Sequence, residues 1–212
     1  MGLFGYVVNG TVKNLTVDNF SSDGEYTPTG VIAAYAVNST FENIAITNCN
    51  PSVYNTGNGG AFYVYNGSVY IDGWVTITGN KAKNGAAIYW ESANTLVLTA
   101  AIIQGNEASE NGGGIYATNS GDIYFGGYVN ISGNTGANGE KNNLYLANDS
   151  VFLNRAKKQE EDVPYRILSD DTVIGISSSV MGGLISGDNS CFEWGDEKCF
   201  VMDNEEYYVR ME

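Results

Sequence analysis

Self-similarity at a short, nearly constant interval constrains this chain more than any other feature. "GGAFY" (59–63) returns as "GAAIY" (85–89), as "GGGIY" (112–116) and, degraded, as "KNNLY" (141–145), in steps of 26, 27 and 29 residues. A second motif keeps the same beat: "ITGN" (77–80), "IQGN" (103–106) and "ISGN" (131–134). Upstream, "VKNLTVDN" (12–19) matches "FENIAITN" (41–48) at a step of 29, and "ITN" (46–48) leads into "ITGN" after 32. Repeats of this length mark solenoids, in which each unit buries its apolar face only by stacking on its neighbours.

The units carry no helical stripe. They hold runs of three to six residues with period-2 alternation, rich in Val, Ile, Tyr and Thr and bounded by Gly and Asn. "SVYIDGWVTITGN" (68–80) and "GDIYFGGYVNISGN" (121–134) each read as two short strands broken by glycine. Such units, stacked in register, predict an all-β fold: a right-handed parallel β-helix of about five to six coils spaced about 4.8 Å apart.

Alternation then assigns faces. Phe62, Val64, Ile88, Trp90, Ile115, Ala117, Leu144 and Leu146 share an apolar parity and are expected inside, as are Ile77, Ile103 and Ile131. The opposite parity carries Tyr63, Tyr89, Tyr116 and Tyr145, which predicts an outward tyrosine ladder. Asn80, Asn106 and Asn134 fall at one corner. There they are expected to adopt left-handed turn geometry and to bond amide to amide along the axis.

Composition supports many short strands and turns: 27 Gly and 25 Asn, with 22 of each before residue 151, and 15 Tyr. From residue 151 the character changes to 13 acids and 6 bases in 62 residues, against 11 and 4 before it. Residues 1–150 are therefore read as β-helix coils. Residues 151–190 are read as a last coil interrupted by a charged loop, with strands at "VPYRIL" (163–168) and "TVIGIS" (172–177). Residues 191–212 are read as capping hairpins with turns near Gly195-Asp196 and Asp203-Asn204, covering an edge that would otherwise pair with other chains. No cap pattern stands at the N-terminal end, so a larger parent chain is expected.

The motifs "GGAFY", "GAAIY" and "GGGIY", paired with "ITGN" and "ISGN", resemble repeats of the polymorphic outer membrane protein type. "GLFGYVVNGTVKNLTVDN" (2–19) resembles the GLUG-type repeats of bacterial surface proteins, and "CFVMDNEEYYV" (199–209) is similar to the segment that closes such helices. The resemblance implies a right-handed β-helix region of an adhesin or scaffold, extracellular and on a bacterial cell surface.

A net charge of −14 argues against nucleic acid and anionic lipid as partners. No apolar run reaches the ~18 residues of a spanning helix, so no membrane insertion by this segment is expected. The chain has no histidine, which removes Ser-His-Asp and Cys-His catalysis and the commonest metal ligand. Cys49, Cys191 and Cys199 form no CxxC; reduced thiols are expected, with a Cys191–Cys199 pair as the alternative. No catalytic residue, metal or cofactor is expected. The expected function is a non-catalytic structural or adhesive segment whose tyrosine ladder meets a glycan or a host or cell-surface protein. The alternative is a polysaccharide lyase, a glycoside hydrolase or its glycan-binding remnant, which would require clustered carboxylates.

Overall fold

The computed structural model describes residues 2–21, 30–50, 57–118, 121–147, 152–155, 173–178, 200–203 and 206–210. The architecture is a parallel β-solenoid of the right-handed type with about five turns. The first coil holds β1 (Phe4–Val8) and β2 (Thr11–Asp18), and the second holds β3 (Ala33–Val37) and β4 (Ser39–Thr47). The third contains β5 (Phe62–Val64), β6 (Val69–Asp72), β7 (Val75–Thr78) and the short β8 (Lys81–Ala82). The fourth contains β9 (Ile88–Trp90), β10 (Thr95–Gln104) and β11 (Glu107–Ala108). The fifth contains β12 (Ile115–Ala117) and β13 (Asp122–Ser132). Beyond it lie β14 (Leu144–Leu146), β15 (Phe152–Arg155) and β16 (Val173–Ser178), then β17 (Phe200–Asp203) and β18 (Glu206–Arg210).

Three interior columns run up the stack. Phe62, Ile88, Ile115 and Leu144 are successive partners on one side; Phe41, Ile71, Leu98 and Phe125 on the second; Ile46, Ile77, Ile103 and Ile131 on the third. All are buried, as are Val64, Trp90, Ala117 and Leu146. Each aliphatic or Phe side chain fully withdrawn from water contributes about 1.5–3 kcal/mol, and these columns hold the coils together. A slip of one residue would turn a column to water.

The corners show how the backbone makes its turns. Left-handed φ values fall on Asn9, Asn14 and Asn19 in the first coil and on Asn38, Asn43 and Asn48 in the second. In the third coil the equivalent bends use Gly67, Gly73 and Gly79. A Cβ on any of these three would meet the Oδ1 of Asn38, Asn43 or Asn48 at 2.3–2.7 Å, so the asparagine of one coil sits against the glycine of the next. Gly105 and Gly133 continue the last of these columns with open space around them. Gly105→Asn is therefore expected to leave stability within about 0.5 kcal/mol of wild type, while Gly105→Val is expected to cost about 1–2 kcal/mol for the left-handed turn. Urea unfolding of both variants checks this.

Several expectations are corrected. Asn80, Asn106 and Asn134 do not take the left-handed turn; Gly79, Gly105 and Gly133 immediately before them do. The second-to-third coil step at this corner is 31, not 32, because Ile46 pairs with Ile77. Asn48 therefore aligns with Gly79, and Cys49, a free buried thiol, aligns with Asn80. Residues 122–132 form one strand bent by a bulge at Gly127-Tyr128 instead of two strands.

At the C-terminal end, β17 and β18 pair antiparallel with Asp203 opposite Glu206, and β18 lies antiparallel on β16. The expected strand at 172–177 corresponds to β16. The expected strand at 163–168, the turn at Gly195-Asp196 and both Cys191 and Cys199 lie outside the described residues.

Candidate functional site: two ladders on opposite sides of the wall

Tyr63, Tyr89, Tyr116 and Tyr145 are direct strand partners across β5, β9, β12 and β14. Their half-buried rings stack face to face, with centroids 5.0, 5.3 and 5.3 Å apart and interplanar angles of 19°, 7° and 9°. The parallel strand spacing of about 4.8 Å is close to the preferred separation of stacked aromatics, so adjacent coils bring the rings together. The row is longer than the repeat motif implies. Tyr6 stacks on Tyr35 at 4.8 Å, and Tyr35 meets Tyr63 edge to face at 5.6 Å. The change from stacked to perpendicular coincides with a register irregularity between Ala33 and Ala36. Tyr6 and Tyr35 carried a signal in the sequence, since Tyr follows the apolar run of "GLFGY" (2–6) and "VIAAY" (31–35).

Within the stack each ring face is covered by its neighbour. Edges and hydroxyls remain for any ligand, and they are not free of local partners. Tyr63 Oη donates to the Glu91 carboxylate at 2.5 Å. Burial, then the Glu91 carboxylate, pushes the Tyr63 phenol upward. Burial also raises Tyr89, to about 12, with Glu91 adding to it. Tyr116 is raised chiefly by burial. Because the folded pKa lies above the ordinary value of about 10, the stabilisation from the neutral rings is intact below about pH 10. It is lost as pH climbs through the folded value. Thermal unfolding is expected to show a loss of midpoint confined to pH above about 10, shallower in Tyr89→Phe.

Stacked aromatic pairs contribute about 0.5–1.5 kcal/mol each beyond their buried area. Replacing both Tyr89 and Tyr116 by Ala removes the 63–89, 89–116 and 116–145 contacts, so a loss of about 2 kcal/mol in urea unfolding is expected.

The second ladder is interior. Asn80, Asn106 and Asn134 are fully buried. The Oδ1 of Asn106 accepts both the backbone N–H (3.0 Å) and Nδ2 (2.9 Å) of Asn80. Asn134 Oδ1 does the same for Asn106, at 3.0 and 2.8 Å, and Asn143 Oδ1 for Asn134, at 2.8 and 2.9 Å. Each Nδ2 makes a second bond to the coil below: Asn80 to Ile46 O, Asn106 to Ile77 O, Asn134 to Ile103 O. The ladder is satisfied internally and points nothing at solvent. Its ends differ from expectation: Cys49 donates its backbone N–H to Asn80 Oδ1 as the bottom rung, and Asn143 closes the top.

The carboxylates behave like the tyrosines. Asp18 accepts from Thr47 and Asn48, which hold its pKa below the ordinary value. Asp72 accepts from Thr99. Glu42, Glu107 and Glu110 pair with Lys13, Lys81 and Lys83 at 3.2, 2.8 and 3.4 Å. In every case, including Glu91, the partner belongs to an adjacent coil. Among the described residues no group of three or more Cys, Asp or Glu is placed to hold a metal ion. No described helix is long and apolar enough to cross a membrane.

Compared with protein-family models, with curated proteins and with solved structures, the chain matches none.

Proposed function

We propose that this chain is a non-catalytic structural and adhesive segment of a secreted or cell-surface bacterial protein, a stiff rod whose outer walls meet a glycan or a surface protein. One observation carries the reading. Asp18, Glu42, Asp72, Glu91, Glu107 and Glu110 each bond a residue of an adjacent coil, as do the tyrosines, so these outward polar groups tie the stack together. A lyase or hydrolase needs carboxylates aimed at substrate with room for water or a metal between them. The resemblance of the "GGAFY" and "ISGN" motifs to surface-protein repeats supports the extracellular placement.

The test is twofold. Incubation with neutral and uronate-containing polysaccharides is expected to give no new reducing ends and no unsaturated uronate absorbance. Turnover that disappears on replacing one of the six carboxylates would establish the enzymatic alternative. On a glycan array, Tyr89→Ala/Tyr116→Ala is expected to match wild type. Loss of binding by a double variant that remains folded would move the ladder from staple to site.

A further inference from the structure

One corner breaks the pattern of the others. The bend that begins with Asn14 and Asn43 continues through Gly73, and here the third coil carries one extra residue, so that Gly73 and Trp74 below and Gly127 and Tyr128 above both face the single Ala100. Trp74 adopts φ +64, directly after the left-handed Gly73 that meets Asn43 of the coil below. A bulky residue rarely tolerates this region, and strain of this kind persists where something other than folding selects it. The indole is 62% exposed.

Trp74 and Tyr128 stand two coils apart, about 9.6 Å by strand spacing. Their ring centroids are nevertheless only 6.3 Å apart, at 34°. The two rings lean together over Ala100, which is only 2% exposed although it occupies the same corner. A small residue between two large ones makes the two rings one shallow aromatic surface. Both ends are held. Asp72 binds the backbone N–H of Gly73 and the Thr99 hydroxyl, fixing the turn that carries Trp74. On the other side a chain of bonds runs Gln104 Nε2 to Ser132 Oγ, Ser132 Oγ to Asn130 Oδ1, and Asn130 Nδ2 to Tyr128 Oη. The Tyr128 oxygen accepts in that chain, which leaves its O–H to donate outward.

We propose that this corner is a saccharide platform that seats the apolar face of a pyranose ring of a neutral polysaccharide on Trp74 and Tyr128. The inference rests on the glycan-binding half of the reading above. The surroundings select this chemistry. Neighbours on the adjoining wall are Thr76, Ile102 and Asn130, then Thr78, Gln104 and Ser132, and none carries a charge. Aromatic faces meet ring C–H groups, while amides and hydroxyls meet sugar hydroxyls. A protein-binding hot spot would seat its rings in a closely packed, desolvated pocket and not on a shallow surface, and the carboxylate at this turn, Asp72, is already bonded to the Gly73 N–H and the Thr99 hydroxyl.

Affinity electrophoresis in gels containing hydroxyethylcellulose, galactomannan, xylan or laminarin tests the proposal. Trp74→Asn suits the test because asparagine tolerates the left-handed φ of +64 far better than tryptophan does. Wild type is expected to be retarded by at least one polysaccharide, with Trp74→Asn and Tyr128→Ala at least tenfold weaker. Tyr65→Ala, removing another exposed aromatic ring, is expected to bind as wild type, and the thermal midpoint of Trp74→Asn is expected to be no lower. Equal retardation of wild type and Trp74→Asn would overturn the platform while leaving glycan binding in place. No retardation of wild type in any gel would overturn both. Capture of a cell-surface protein by wild type but not by Trp74→Asn, without retardation, would reassign the corner to a protein partner.

Discussion

Asn106→Leu is expected to cost about 4 kcal/mol, although leucine is similar in size and far more apolar. The substitution deletes an acceptor used twice by Asn80 and a donor used by Ile77 O and Asn134 Oδ1. It strands the Asn80 backbone N–H and one Asn80 amide proton where water does not reach, and takes from Ile77 O the side-chain bond it holds beside its ladder bond. A buried polar group left without a partner costs about 1–3 kcal/mol, and two such groups outweigh the apolar gain. The bonds also form one chain from Cys49 to Asn143, so neighbouring rungs lose mutual polarisation. Urea unfolding should show a lower midpoint with an unchanged slope. A cost below about 1 kcal/mol would mean the ladder is a by-product of the winding and not a cause of it.

The ladder's direction explains its ends. Each Oδ1 serves the rung below, so the lowest rung needs a backbone N–H but no side-chain acceptor. Cys49 meets that demand, and its thiol turns instead to Thr47 O at 3.1 Å. Motif matching aligned asparagine with asparagine and therefore placed Asn48 one position out of register. What decides the register is the interior column of Ile46 and Ile77. That column was legible, because a period-2 pattern repeated in every coil leaves only one parity for the core. The tyrosine row was legible for the same reason from Tyr63 to Tyr145, but its extension to Tyr6 and Tyr35 lay in coils where "GLFGY" and "VIAAY" keep the tyrosine and change the order of the residues before it. The left-handed burden on Gly79, Gly105 and Gly133 could not be told from one on Asn80, Asn106 and Asn134, since both residue types tolerate it. Trp74 and Tyr128 were invisible for a different reason. Both follow the glycine of "GWVTITGN" (73–80) and "GYVNISGN" (127–134), but the coil between carries alanine there, and only the stacking of coils makes them neighbours across Ala100.

Gly60→Ala separates this account from a generic one through the sign of its effect. Gly60 does not have a left-handed φ, so alanine is conformationally permitted there. On backbone entropy alone the change should stabilise by about 0.4–1 kcal/mol. The stack forbids it. A Cβ at Gly60 would lie 1.9 Å from the carbonyl oxygen of Ala86 in the next coil, where contact requires well over 3 Å. The coil cannot simply lift away. Val31 N–H donates to Gly60 O at 2.9 Å from below, and Gly60 N–H donates to Gly85 O at 3.1 Å above. Relieving the methyl would stretch bonds on one side and open the columns around Phe62 and Ile88. Overpacking ordinarily costs about 1–3 kcal/mol and more where backbone is the obstacle, so a loss of about 3–4 kcal/mol is expected. Gly5→Ala supplies the opposite case: Gly5 lies in the outermost strand β1, without a left-handed φ, and its Cβ would meet nothing within 4 Å. It is expected to be neutral or stabilising by up to about 1 kcal/mol. Measured side by side in urea, the two substitutions should move the midpoint in opposite directions. A Gly60→Ala protein as stable as Gly5→Ala would show that these coils are not in the close register on which both ladders depend.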